Sequence, residues 1–168
     1  MRHVIIDGYN VLRTARRYKA LAAHDLEAAR TRLVTDAAAL ADSATRVTVV
    51  FDAAMNERST GAAHHVAGVV VVFSPHGVSA DDVVERLAAR AKDRGDVAVV
   101  VTSDAETQRA VMGGAALRMS SREFEREVED VERDARASAR TGTSSVPLER
   151  RIDEDVRRAL DRWIGLER

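Results

Sequence analysis

The chain has no cysteine. That excludes a disulfide framework, a zinc–thiolate centre and a cysteine nucleophile, and it fits an intracellular compartment. No apolar run reaches the ~20 residues that cross a bilayer. The opening Met1-Arg2-His3-Val4-Ile5-Ile6-Asp7 meets a carboxylate too early for the apolar segment of a signal peptide, so the expectation is a cytoplasmic protein without a membrane. Aromatic residues are scarce at 4%. Lysine is scarcer: of 26 basic residues only Lys19 and Lys92 are lysine. The net charge is −1, which argues against coating nucleic acid by bulk charge but leaves room for a local basic face. The glycines form neither a GxGxxG nor a Walker loop, so no nucleotide cofactor is expected.

What is present is a core material of small and β-branched residues. Alanine and valine supply 52 of the 76 apolar residues across 168 positions. A chain of this length buries roughly 70% of its unfolded surface, enough for one core. Val4–Ile6, Arg46–Phe51, Val66–Phe73, Asp96–Thr102 and, more weakly, Ala115–Met119 read as strands. Residues 24–42 carry Leu26, Ala29, Leu33, Ala37 and Leu40 at helical spacing. Ser79 caps a helix to about Arg94, which Gly95 ends, and a short helix is expected between Asp104 and about Met112. Ser120 with Glu123 makes a capping box for a charged helix to about Ala137. Residues 53–65 read as a loop holding His64 and His65 at the surface. Strands apolar on both faces, alternating with helices, predict a parallel sheet covered on both sides, with a hairpin-like step between the second and third strands that sets the third at an edge. Domain organisation follows: one α/β domain over 1–137, then a linker from 138 and a helix over 148–164 that docks on the same domain.

The acids are placed systematically. Asp7 follows the first strand, Asp52 the second and Asp104 the fourth, while Asp81 and Asp82 open the helix after the third. In a parallel sheet these strand ends share one rim, where open α/β folds bind ligands. Gathered carboxylates repel, and a divalent cation with oxygen ligands, Mg²⁺ or Mn²⁺, relieves that repulsion. Such an ion beside a phosphodiester supports hydrolysis. Asp81 and Glu85 are four residues apart and can face the same rim; Asp82 points elsewhere and suits the helix dipole. Asn10 can close a turn or orient an acid. Ser103 can bond a phosphate or the loop backbone. An acid after a strand also commonly caps the next helix, so each position has a purely structural alternative.

Together, Asp7-Gly8-Tyr9-Asn10, Val50-Phe51-Asp52-Ala53, Ala80-Asp81-Asp82-Val83-Val84-Glu85, Val101-Thr102-Ser103-Asp104 with Gln108, and Met119-Ser120-Ser121-Arg122-Glu123-Phe124 resemble the NYN domain in its YacP-like branch. The resemblance implies a PIN-like three-layer sandwich with a mainly parallel sheet and a C-terminal helical extension. It implies a Mg²⁺- or Mn²⁺-dependent endoribonuclease acting in RNA processing or mRNA decay. Asp7, Asp81 and Asp104 would then hold the metal, with Asn10, Asp52 and Glu85 completing the rim and Asp7, Asn10, Asp81 and Asp104 forming the catalytic set. RNA, including ribosome-associated RNA, is the implied partner. The rival of another class is a catalytically silent RNA- or ribosome-binding module of the same fold. A phosphorelay receiver lacks its paired acids after strand one, and a haloacid-dehalogenase-type phosphatase lacks an acid at Tyr9. Arg13, Arg16 and Arg17 near the rim are candidates to hold phosphates. The helix carrying Arg122 to Arg140 is net acidic and reads as a solvated face. The segment after it, with Arg150 and Arg151, reverses the sign and is the better candidate to touch RNA.

Overall fold

The structure, a computed structural model, describes residues 1–103 and 116–141. In chain order these form β1 (Arg2–Asp7), α1 (Gly8–Thr14), α2 (Arg16–His24), α3 (Leu26–Ala39), β2 (Thr45–Phe51), β3 (Ala63–Val66), β4 (Val69–Phe73), α4 (Ala80–Asp93), β5 (Val97–Val101), β6 (Ala116–Met119) and α5 (Ser121–Thr141). The sheet order is β3-β4-β2-β1-β5-β6. Every neighbouring pair is parallel except β3 and β4.

The two-residue period of the strands splits the core. Val4 and Ile6 of β1, with Val47, Val49, Phe51, Val69, Val71, Val99 and Val101, face a layer made of α1 to α3 and α5. Ile5, Val50, Val72, Ala98 and Val100 face α4 through Val83, Val84, Ala88 and Ala91. Alanine on the helices lets them sit close over a valine sheet, which is how so few aromatics suffice. The result is the expected α/β three-layer sandwich.

Several elements differ from the sequence reading. Gly8–His24 folds as two short helices before α3, which starts at Leu26 behind the cap Asp25, whose carboxylate accepts the Ala28 N–H at 2.9 Å. The expected third strand is a hairpin: Ala67 and Gly68, at φ 49° and 85°, turn the chain between β3 and β4. Both are left-handed, the two-residue geometry that matches strand twist. The antiparallel step is therefore between β3 and β4; β4 lies parallel beside β2, and β3 with His64 and His65 takes the edge. The helix expected to stop near Ala137 continues to Thr141, the last described residue. The expected helix after Asp104 and all of residues 142–168, including the expected last helix, lie outside the described residues.

α5 is not simply solvated. Phe124 and Val128 are fully buried, and its acids reach across to the layer beneath. Glu127 pairs with Arg2, and Glu132 with Arg17 and Arg32. At the heart of this contact Asp36 of α3 is 4% exposed and takes Arg17 at 2.6 Å, Arg32 at 2.9 Å and the Tyr18 hydroxyl at 2.7 Å. Burial disfavours the charged Arg17, but its bonds to Asp36 and Glu132 outweigh this and raise its pKa. Burial, then the Asp36 carboxylate, raises that of Tyr18 far above the usual phenol range.

At the opposite end of the sheet from the strand-end acids, His3 is 2% exposed. Its Nδ1 lies 3.3 Å from an Arg94 N–H and its Nε2 lies 2.9 Å from Thr48 Oγ1. A guanidinium can only donate, so Nδ1 accepts and Nε2–H donates to Thr48. Burial, with help from Arg46 and Arg94, lowers the His3 pKa to about 4, so the ring is neutral.

Candidate active site

β1 ends at Asp7, beside Val50 of β2, and α1 begins at the next residue. Gly8 makes this abrupt start possible. A Cβ there would lie 2.5 Å from the Phe51 ring and 3.0 Å from the Val50 carbonyl oxygen. Asp7 caps α1, one oxygen accepting the Asn10 N–H at 3.2 Å. It is 8% exposed, so the carboxylate sits at the bottom of the rim.

Asn10 is also buried, and its Oδ1 accepts the backbone N–H of Ser103 at 2.9 Å. Ser103 follows β5, so this bond ties the start of α1 to the chain leaving the neighbouring strand. A hydroxyl chain closes the circuit. Ser103 Oγ is 2.9 Å from Ser121 Oγ, which is 2.7 Å from Thr14 Oγ1, which donates to the Asn10 carbonyl at 2.7 Å. That carbonyl only accepts, so each bond has one direction: Ser103 donates to Ser121, Ser121 to Thr14, and Thr14 to Asn10. Thr14 and Ser121 did not stand out in the sequence. The available signal was the pair Ser120-Ser121: Ser120 forms the capping box with Glu123, which leaves Ser121, 3% exposed, for another task.

Asp52 links the other half of the rim. Its Oδ1 accepts the Ala54 N–H at 2.9 Å and its Oδ2 accepts the Ala80 N–H at 3.1 Å. The acid after β2 thereby holds the first turn of α4, which carries Asp81. Asp81 and Glu85 are both exposed on α4. Asp82 is turned away: it forms a capping box with Ser79, whose hydroxyl donates to Asp82 Oδ2 at 2.7 Å. That hydroxyl and the Ser79 N–H lower the Asp82 pKa.

Asp7, Asn10, Asp52, Ser103 and the start of α4 with Asp81 thus belong to one end of the sheet. Asp104, the next residue after Ser103 in sequence, lies outside the described residues, as do Gln108, Arg150 and Arg151. Among the described residues no three His, Asp or Glu side chains form a group able to hold a metal. The carboxylate-only donors expected here suit a hard cation such as Mg²⁺ or Mn²⁺, and that set needs Asp104. Of the arginines proposed to hold phosphate, Arg13 and Arg16 are exposed and form no ion pair among the described residues. Arg17 differs: its guanidinium is committed to Asp36 of α3 and to Glu132 of α5.

The comparisons with known proteins agree with this fold. A model of the YacP-like NYN domain matches residues 4–165. The uncharacterized protein YacP of Bacillus subtilis (strain 168) is 33% identical over 166 residues, covering 95% of each chain. The crystal structure of Rae1 (YacP) from Bacillus subtilis superposes with a TM-score of 0.72 at 32% identity, covering 98% of this chain and 95% of that one. A single-substitution mutant of the same protein gives 0.71 at 33% identity, over 97% and 99%. NYN domains are PIN-like and commonly nucleases. With a family model and a curated relative both spanning nearly its whole length, the chain belongs to the YacP-like NYN domain family.

Proposed function

We propose that the chain is a Mg²⁺- or Mn²⁺-dependent endoribonuclease, acting on cytoplasmic RNA in processing or mRNA decay. The observation that supports this best is the bracing of Asp7, Asn10 and Ser103 against one another at the strand-end rim, with Asp52 tethering the turn that carries Asp81. Asp7, Asp81 and Asp104 would hold the cation, with Asp52 and Glu85 at its margin. Bound there, a divalent cation supplies charge neutralisation and an activated water for in-line attack on a phosphodiester. The chain's own residues set the geometry: Asn10 fixes the backbone at Ser103, and Asp52 fixes α4. Arg13 and Arg16 neutralise RNA phosphates beside the rim, and Arg150 and Arg151 extend that contact.

A catalytically silent RNA- or ribosome-binding module of the same fold would use the same cations without the acids. The deciding experiment is cleavage of varied RNAs, with and without ribosomes, in Mg²⁺, Mn²⁺ or chelator. Metal-dependent cleavage lost in Asp7→Asn and Asp81→Asn supports the nuclease. RNA binding without cleavage, unchanged in those variants, supports the silent module. Replacing Arg150 and Arg151 by Ala should weaken RNA binding and make its salt dependence shallower, by about one slope unit for each phosphate no longer neutralised.

A further inference from the structure

A groove of about 570 Å³ is lined by Tyr9, Leu12 and Arg13 of α1, Lys19, Ala22 and Ala23 of α2, and Leu26 of α3. Its size lies within the ~300–1,000 Å³ of small-molecule sites. The walls are apolar, and Leu26 is 43% exposed there. Tyr9 lies two residues from Asp7. Its ring rests on Phe51 at 5.2 Å between centroids, and Phe51 stacks on Phe73 at 5.3 Å. The aromatic wall is therefore rigidly backed by the end of the sheet.

The charge around this groove is one-sided. Between Gly8 and His24 the sequence has no Asp or Glu, although acids are 27 of 168 residues overall. Arg13 and Lys19 line the groove, are exposed, and form no ion pair among the described residues, whereas Arg2, Arg17, Arg32 and Arg94 all do. An apolar cleft with a braced aromatic ring, edged by unneutralised cations, suits a flat heterocycle attached to an anionic chain.

We propose that this groove takes an unstacked nucleobase of single-stranded RNA, against Tyr9, Leu12 and Leu26, while Arg13 and Lys19 hold the adjoining phosphates. The proposal rests on the nuclease reading for its substrate class and adds a requirement for an unpaired nucleotide next to the cut. A base inside a duplex cannot leave its stack to enter such a groove without the cost of unpairing. Contact between a base and an aromatic side chain contributes about tenfold or more in affinity.

The test measures binding rather than cleavage, so it does not depend on the acids being catalytic. A short labelled single-stranded RNA is titrated into the full chain in chelator, alongside RNAs in which one abasic nucleotide is walked along the sequence. The expected result is a loss of about tenfold at one abasic position and little elsewhere, with duplex RNA binding more weakly than single strands. Tyr9→Leu, which keeps packing on Phe51, should bind intact RNA about tenfold more weakly and erase the abasic step. Lys19→Ala and Arg13→Ala, on exposed positions, should instead flatten the salt dependence and leave the step in place. Because the chain has no cysteine, Leu26→Cys gives a unique thiol; RNA should protect it from a maleimide. A flat abasic profile in the wild type, or an unchanged step in Tyr9→Leu, overturns the proposal. So does a Leu26→Cys thiol that is protected without RNA, since the chain itself would then fill the groove. Cleavage that persists in Asp7→Asn would sink the nuclease reading while leaving these binding results to stand or fall by themselves.

Discussion

Asn10 and Ser103 are 93 positions apart, yet the side-chain amide of one holds the backbone N–H of the other at 2.9 Å. The bond sits where β1 and β5 end side by side, and it fixes the chain just before Asp104. Asp7 is linked to the same point through the Asn10 N–H. Asn10, which from the sequence can close a turn or orient an acid, is therefore the joint between two of the segments that carry the acids.

That joint predicts a division of labour. Ser121→Ala breaks the hydroxyl chain without touching RNA or metal, and should lower kcat about tenfold with KM for RNA little changed. Ser121→Thr keeps the hydroxyl and should restore most of the rate. Asn10→Ala leaves the Ser103 N–H without its partner, at ~1–3 kcal/mol, and should be worse on both rate and stability. Single-turnover kinetics beside urea melts separate the two effects; equal KM and kcat losses would reject a positioning role.

For the acids themselves, Asp81→Asn and Asp104→Asn should abolish cleavage while the fold persists, because an amide has the carboxylate's shape without its charge. Mn²⁺ should raise the melting temperature of the wild type and not of either variant. Without metal, Asp104→Asn should melt no lower than the wild type, since removing one of several like charges relieves repulsion. Wild-type turnover in either purified variant would end the metal-site reading.

Asp36 carries a different burden. Its carboxylate is buried among Arg17, Arg32 and Tyr18, and Arg17 continues to Glu132 of α5. Asp36→Ala would strand a half-buried guanidinium and a buried phenol, with a loss of ~3–5 kcal/mol. Tyr18→Phe removes one hydrogen bond and should cost about 1 kcal/mol. Arg17→Ala should likewise lower stability while leaving the salt slope of RNA binding unchanged, in contrast to Arg13→Ala. Urea titrations and salt-dependent binding curves read the two outcomes.

His3 makes stability depend on pH. Its folded pKa of about 4 lies below the usual value near 6.5. Between those values the unfolded chain takes up a proton that the folded chain refuses, so stability is complete above about pH 6.5 and falls as pH drops toward 4. The full loss is about 3 kcal/mol. Measured between about pH 6.5 and 5, above most carboxylate titration, the fall should be clear in the wild type and much smaller in His3→Phe, where His64, whose pKa burial also lowers, leaves a residual slope. An equal slope in both would assign the effect to other groups.

Local patterns determined much of this protein from its sequence. Short runs such as Val4-Ile5-Ile6 and Val99-Val100-Val101 specify buried strands. Ser79 with Asp82 and Ser120 with Glu123 specify helix starts, because a cap needs only residues three apart. The strand-end acids and the blocks around them carried the family. Tertiary structure decided what depends on distant partners. Arg13, Arg16 and Arg17 are alike in sequence, and only the packing of α3 and α5, which bring Asp36 and Glu132 to it, holds Arg17 in ion pairs while the other two stay exposed. Ala67-Gly68 carries no strong turn signature, so the split into β3 and β4 followed from pairing along the sheet edge. Ser121 and Thr14 became partners for the same reason: a hydroxyl's task is set by whichever group the folded chain brings within hydrogen-bond reach.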